Sequence, residues 1–592
     1  MLGTPKGNQH FMLVYLILGL ILFGGARVSL PSGHLELAQI DLFAFALLIL
    51  LGMDIRRGSK SESLRAWDIR IEKYVLRPIQ EKKLWIGLAV VGTVLLLVHL
   101  VRDLTLQTHM FDNSCLHQPL FYPFEPQFFH CNACRMDTQF AEHILWPLVV
   151  LAPLTSLLKS DLFIFILQIL FVLGPLAFYI TRGPLQERSR LWILAAFVVL
   201  CSSPLRHSLF RDFREDHLIF GAFLMAGWAL QTKRPWHYLS FLLLGILSKE
   251  NAPVVGFFFL FPILFDKNLP LSKLQRQRLA GATAFLTLAY TALLVKVIIP
   301  NFMGSSESEN NILRAYPGMG STMSEFAINV LKNPFAFMSL VADPLLNLSS
   351  LKYVFRLLTP FLLLFLCGRW WLVPALPGIF MNLSAVGFSR EVQRMQIFHY
   401  ELIILPFLVL GMVQSLAWSR KWDFQRPRFA FLVLAVALCA FGRSPVYYMT
   451  SWLAEFGYRI PGALALDRLR LEEPLAASPY LWPQLNHLKE LRYIDIPSDL
   501  GGDPTEKIKR FLSQNPPRPL TGQGRDPGDS RLYLLQLDIP GTEAFRQELL
   551  RIGGSEIWKH SDTRGRPFLS LIQTPQPVFS IWCEQMNLCR TP

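Results

Sequence analysis

Apolar residues fall along this chain in long blocks, not in the three- and four-residue spacing of an amphipathic helix. Thirteen blocks stand out, at about 11–27, 36–53, 84–101, 161–181, 191–205, 217–231, 235–249, 251–265, 279–299, 351–367, 371–386, 400–416 and 429–445. A helix rises about 1.5 Å per residue, so ~20 apolar residues cross the roughly 30 Å hydrocarbon layer of a bilayer. Within that layer only helices and closed barrels satisfy their own backbone, and blocks of this length read as helices. The expected fold class is therefore an all-α polytopic membrane protein of about 13 transmembrane helices. The first block also has the look of a signal sequence ending near Ala26, but only Lys6 precedes it and a second span follows closely, which favours a true helix.

Composition agrees with the pattern. Of 592 residues, 52% are hydrophobic and 17% charged, against about 25% charged in soluble chains. The net charge of +14 would point to nucleic acid in a soluble protein. Here the cations sit in short loops between apolar blocks, which makes them a topology signal and argues against a nucleic-acid partner. The loop 54–83 is dense in Arg and Lys, and smaller basic loops recur at 182–190, 232–234 and 266–278, at Arg369 and across 420–428. All of them fall on one side only if the apolar stretch 142–158 does not cross. That stretch is expected to lie in the interface as a surface or re-entrant helix. The N-terminus is then cytoplasmic, in the inner (plasma) membrane, and the tail lies outside.

Three units follow: a transmembrane hairpin with its basic loop (1–83), a transmembrane domain (84–445), and an extracytoplasmic tail (446–592). The outer loops are 102–143, 206–216 and 301–350, the last with a surface helix expected near 323–341. In the tail, "LRYIDIP" and "RLYLLQLDIP" read as strands, and "GTEAFRQELLRIGG" as a helix stopped by glycine. The tail is thus expected to be a small α/β domain.

The candidate chemistry gathers on the outer side. Loop 102–143 carries Asp112, His117, Glu125, His130, Asp137, Glu142 and His143 near the membrane. A carboxylate there can deprotonate an acceptor hydroxyl or hold a divalent cation against a phosphate. "LFRDFREDHLIFGAF" sets Arg211, Asp212, Arg214, Glu215, Asp216 and His217 at the mouth of a span, where ionisable groups also serve as plain anchors. "GILSKENAPVVGF" sets Lys249 and Glu250 between two apolar blocks, where charge is expensive and is paired or functional. "GFSREVQRMQIFHYELIILPF" carries Arg390, Arg394, His399 and Tyr400, and arginines can clamp a phosphate through two bonds. Cys115, Cys131 and Cys134 share the first loop, and Cys583 and Cys589 share the tail. Disulfides are the default outside the cytoplasm, while His130 with the three loop cysteines also has the ligand types that zinc takes.

The order of "MFDNSCLHQPLF", "EHILWPLVVLAPL", "FREDHLIFGAFLMAGWAL", "LSKENAPV" and "FHYELIILPFL" resembles the family called domain of unknown function 2079. The tail segment "AASPYLWPQLNHLKELRYIDIP" is similar to that family's outer domain, and the resemblance covers roughly residues 84–575. Members resemble the GT-C glycosyltransferases. The resemblance implies a GT-C-like membrane fold, with a polyprenyl-phosphate sugar as donor and an acidic loop residue as base or metal ligand. It puts the catalytic aspartate on Asp112, the family glutamine on Gln118 and the loop-end histidine on His143. The mouth residue falls on Asp216 or His217, and the Lys-Glu pair on Lys249 and Glu250. Ser114 stands where the family has glycine, His117 replaces an acidic residue, and the CxxC is foreign to the pattern.

The expected function is transfer of a sugar from a polyprenyl-phosphate donor to an acceptor outside the cytoplasm. Asp112, Asp216 and His143 are the expected catalytic group. Gln118, His217, Lys249, Glu250, Arg390, Arg394, His399 and Tyr400 are expected to meet substrate. The partners are the lipid-linked donor and membrane lipids, and a divalent cation is compatible with the carboxylates. A transporter or flippase would place charges at mid-membrane in two similar halves, whereas these cluster at the outer edge. A non-catalytic scaffold would tolerate loss of Asp112.

Overall fold

The structure, a computed structural model, describes residues 28–30, 33–35, 81–104, 114–124, 128–129, 138–182, 205, 208–209, 213–303, 313, 315–346, 348–358, 361, 368–384, 400–419, 461–464, 466, 475–477, 481, 485, 491–493, 531–537, 542–561 and 567–576. The expected spans at 11–27, 36–53, 191–205 and 429–445 lie outside them, but for Leu205. The described part is mostly helical, with small sheets.

A short antiparallel pair, β1 (Val28–Leu30) and β2 (Gly33–Leu35), comes first. The helix α1 (Glu81–Leu104) follows the basic loop. The loop 102–143 holds α2 (Ser114–Phe121) and α3 (Gln139–Glu142), the latter capped by the Thr138 hydroxyl. Next is α4 (Trp146–Leu158), with proline in its first turn and Lys159 left-handed at its end (φ 44°). It is 13 residues long. Beyond it run α5 (Asp161–Arg182), α6 (Asp216–Gln231) and α7 (Pro235–Ile246).

The block at 251–265 is read from sequence as one span, but it forms two helices, α8 (Ala252–Phe257) and α9 (Leu260–Phe265). Pro262 has no N–H to give the Phe258 carbonyl, which takes the Phe261 N–H at 3.1 Å. Then α10 (Lys273–Leu293) starts from a capping box of Ser272 and Gln275. It runs through a π turn, Leu294–Ile298, into α11 (Ile299–Met303). Lys273–Phe302 and Asp161–Tyr179 are the two described helices long and apolar enough to cross a membrane.

The surface helix expected near 323–341 is split at Asn333, ahead of Pro334, into α12 (Met323–Lys332) and α13 (Pro334–Leu346). There follow α14 (Leu348–Leu358), α15 (Arg369–Ser384), a 3-10 turn at Tyr400–Ile403, and α16 (Leu405–Ser419).

The central element is α6. Every residue from Asp216 to Leu230 is buried, as expected of a helix that is apolar all round. It packs against α5, α7, α16 and the 3-10 turn. Pro175 in α5 leaves the Phe171 carbonyl without its helical donor, and Gly221 of α6 comes up against that oxygen. A Cβ at Gly221 would sit 2.4 Å from it and 2.9 Å from the Pro175 ring. Small residues allow such close helix approach in membranes. At the far end of the bundle, the buried Asp266 accepts from Trp371 Nε1 of α15 (3.1 Å) and Gln414 Nε2 of α16 (2.6 Å).

Residues 475–573 form a five-stranded mixed sheet. Strands β3 (Leu475–Ala477), β4 (Leu491–Tyr493), β5 (Leu532–Gln536), β6 (Ser555–Ser561) and β7 (Pro567–Gln573) lie in the order β4-β3-β5-β7-β6. The β4-β3-β5 part is parallel and the β5-β7-β6 part antiparallel. Helix α17 (Thr542–Arg551) lies between β5 and β6 in sequence and ends at Gly553 (φ 95°), the left-handed stop that glycine provides.

Replacing Gly221 by leucine should destabilise the protein by about 1–3 kcal/mol through overpacking. Gly281→Ala, where a Cβ meets nothing within 4 Å, should change it by no more than about 0.5 kcal/mol. Thermal unfolding in lipid nanodiscs separates the two, and equal melting temperatures would refute the close-approach role of Gly221.

Candidate functional site

The start of α6 sets two adjacent carboxylates, Glu215 and Asp216, at a helix N-terminus, where the macrodipole favours negative charge. Glu215 occupies the cap position without capping through its side chain. Both carboxylates instead meet Lys249, whose Nζ lies 2.7 Å from Glu215 Oε1 and 2.7 Å from Asp216 Oδ2. All three side chains are buried. Lys249 reaches this position because α7 ends at Ile246 and α8 begins at Ala252, with Pro253 in its first turn. The tight turn between them carries Lys249 and Glu250 together.

Glu250 faces the outer loop. Its Oε1 lies 3.0 Å from His143 Nδ1, and its Oε2 accepts from the Ile144 N–H at 3.3 Å. His143 is presented there as the extended C-cap of α3, its own N–H bonded to the Gln139 carbonyl. Burial works against protonation of His143, but the Glu250 carboxylate outweighs it and lifts the imidazole above its usual value of 6.5. Burial likewise opposes ionisation of Glu250, and His143 draws its carboxyl below the usual 4.5. Each partner therefore favours the charged form of the other.

A further carboxylate belongs to this neighbourhood and escapes sequence reading. Glu401 sits in the 3-10 turn against α6, 1% exposed. Tyr353 of α14 stands close to it, and the Tyr353 oxygen accepts from Asn382 Nδ2 of α15 at 2.8 Å. Glu401 lies close enough to Asp216 to feel that carboxylate's charge. The sequence does carry a signal, a lone acid at the head of the apolar run "HYELIILPF", and an acid so placed is costly unless used.

The candidates named from sequence divide as follows. Asp216, Lys249, Glu250 and His143 come together with Glu215. His217 is buried on separate partners. Its Nδ1 lies 2.8 Å from the Arg214 carbonyl, and its Nε2 lies 3.0 Å from Ser208 Oγ and 3.2 Å from Gln168 Nε2. That set fits the tautomer protonated at Nδ1, and it fastens α6 to α5. His117, also buried, pairs with Asp161 at the start of α5. Tyr400 opens the 3-10 turn, half-buried. Asp112, Arg390, Arg394 and His399 lie outside the described residues, as do Cys131 and Cys134, and the side chain of Gln118 is not described. Among the described residues no three His, Cys, Asp or Glu side chains are grouped to hold a metal ion. Lys249 already balances Glu215 and Asp216, so this donor set does not fit a divalent cation.

Two outcomes follow. Lys249→Met strands two buried carboxylates, which should cost about 3–5 kcal/mol and be read as a lowered unfolding midpoint in nanodiscs. An unchanged midpoint would mean that the pairing carries no weight. For His143 and Glu250 the signs differ. The raised histidine stabilises fully below 6.5 and loses its contribution as pH climbs through the raised value. The lowered glutamate stabilises fully above 4.5 and loses it as pH falls through the lowered value. The advantage of wild type over His143→Gln should thus be greatest between 4.5 and 6.5 and shrink toward alkaline pH. A difference in melting temperature that stays flat with pH would remove the pair from the account.

No curated protein matches the chain. Among solved structures it is similar to ArnT from Cupriavidus metallidurans bound to undecaprenyl phosphate, at 10% identity and a TM-score of 0.41, over 82% of this chain and 97% of that one. It is similar also to ArnT from the same organism in the apo state, at 12% identity and 0.41, over 84% and 99%. The family model described as "Predicted membrane protein (DUF2079)" matches residues 103–459, and the chain belongs to that family of membrane proteins.

Proposed function

We propose that the protein is a membrane-embedded glycosyltransferase that moves a sugar from a polyprenyl-phosphate donor to an acceptor hydroxyl on the extracytoplasmic side. The observation that carries this reading is the buried network of Glu215, Asp216, Lys249, Glu250 and His143. It closes one end of the central helix directly beside the loop that bears Asp112. Ionisable groups kept at membrane depth mark a working site by default, and this group lies at the end opposite the basic loops 232–234 and 266–278.

In this reading thirteen spans carry the chain across the membrane, the unit 84–445 holds the site, and the tail 446–592 lies outside as an α/β domain. The donor enters sideways from the lipid. Arg390 and Arg394 meet its phosphate, because Lys249 is committed to Glu215 and Asp216. Gln118, His399 and Tyr400 orient the sugar. The acceptor oxygen attacks the anomeric carbon, the bond from that carbon to the phosphate oxygen breaks, and the lipid phosphate leaves with the electron pair. The acceptor proton passes to Asp112. Asp216, held ionised by Lys249, stabilises positive charge building on the sugar ring. His143 and Glu250 tie the loop to the bundle so that Asp112 is presented at the site. The lipid phosphate is a good leaving group without protonation, so no strong general acid is called for.

The test is radiolabelled sugar transfer in membranes supplied with a panel of polyprenyl-phosphate sugars. Wild type should transfer from at least one donor. Asp112→Asn should lower the rate by 10²–10⁴-fold, the range for a positioned proton acceptor, and Glu401→Gln less than Asp112→Asn. Equal transfer by wild type and Asp112→Asn would move the chemistry away from Asp112. No transfer from any donor would favour a transporter or a scaffold.

A further inference from the structure

At the end of α6 away from the charged network, a groove opens between α5, α6 and α7. It has a volume of about 360 Å³ and is open at the surface. Its walls are apolar: Gly174 and Phe178 of α5, Trp228 of α6 and Phe241 of α7. The space beside Gly174 is open, and a Cβ there would meet nothing within 4 Å. The Phe178 ring stands edge-on to Trp228 at 4.9 Å, and Trp228 Nε1 donates to the Arg182 carbonyl at 2.8 Å, which fixes the indole as a wall.

The rim has the opposite character. Arg234 and His237 line the groove, with the Arg234 guanidinium 5.0 Å from the centre of the Trp228 ring. Lys233, left-handed at φ 58°, is exposed beside them, and so is Arg182. Among the described residues no acidic side chain lines the groove. This is the end that the short basic loops mark as cytoplasmic. Trp236, 78% exposed on the first turn of α7, suits the headgroup belt of that leaflet.

We propose that this groove binds one anionic phospholipid of the cytoplasmic leaflet, with an acyl chain along Gly174 and Trp228 and the headgroup phosphate on Arg234, Lys233 and Arg182. Charge complementarity selects the occupant. A chain slot alone would accept any lipid, whereas Arg234 on the rim, with exposed Lys233 and Arg182 next to the lining elements and no acid among the described lining residues, favours a phosphate whose headgroup has no cation of its own. The site stands apart from the transfer reaction proposed above and does not depend on it.

The test is native mass spectrometry of the full chain released from micelles containing equal dioleoylphosphatidylglycerol and dioleoylphosphatidylcholine. Wild type should retain one lipid, with phosphatidylglycerol in excess over phosphatidylcholine. Arg234→Gln should lower that excess about fivefold, the equivalent of ~1 kcal/mol per basic residue at a membrane surface, while Arg234→Lys keeps it. Gly174→Leu should lower retention of both lipids by filling the slot. Arg234 is exposed, so its variants read the site without a change of packing. Equal retention of the two lipids by wild type would overturn the proposal. So would phosphatidylglycerol retention unchanged in both Arg234→Gln and Gly174→Leu, the result if residues 183–204 of this chain fill the groove.

Discussion

The arrangement at the N-terminal end of α6 depends on one buried cation. Lys249 stands 2.7 Å from each of two carboxylates that are neighbours in sequence. Without it, Glu215 and Asp216 would face each other as like charges in a medium where desolvation alone costs several kcal/mol per ion. With it, one negative charge of the three remains uncompensated, and the α6 macrodipole takes part of that. Consequences for the fold follow at once. The turn between α7 and α8 must sit over the start of α6, and Glu250, next in the chain, is then aimed at the outer loop, where His143 meets it. One ion pair thus fixes the end of a three-helix unit and the position of a loop.

Much of the fold was legible from the apolar pattern, because burial in lipid leaves block length as the dominant signal. The blocks at 84–101, 161–181, 217–231, 235–249 and 371–386 correspond to α1, α5, α6, α7 and α15 within a few residues. What the pattern could not register was the interior grammar of the blocks. Hydropathy treats Pro262 as one more apolar residue, yet its missing N–H divides 251–265 into α8 and α9. The same blindness joined α12 to α13 across Pro334. In the tail the signals were local, and they read correctly: two strand segments and a helix ended by Gly553.

The site was half legible. Lys249 and Asp216 drew notice separately, as charges at span ends, but nothing in a linear sequence says that residues 33 apart meet at 2.7 Å. A lysine read alone looks like a cation awaiting a phosphate. In the fold it is already engaged, and the duty of meeting the donor passes in our reading to Arg390 and Arg394. His217 misleads for a related reason. It stands next to Asp216, but successive helix residues point about 100° apart, so its ring faces Gln168 and Ser208. Glu401 was overlooked because a single acid ahead of an apolar run resembles an interfacial anchor, and only the approach of α14 and α15 reveals the Asn382–Tyr353 hydrogen bond beside it.

The two ends of α6 make sense together. Between Asp216 and Trp228 lie about 18 Å of helix that is buried throughout, so the element cannot bend toward solvent or tilt without disturbing α5, α7 and α16 at once. Gly221 brings α5 into backbone contact midway. A rigid rod of this kind transmits position: whatever seats Trp228 and Arg234 at one end also sets the height of Glu215 and Asp216 at the other.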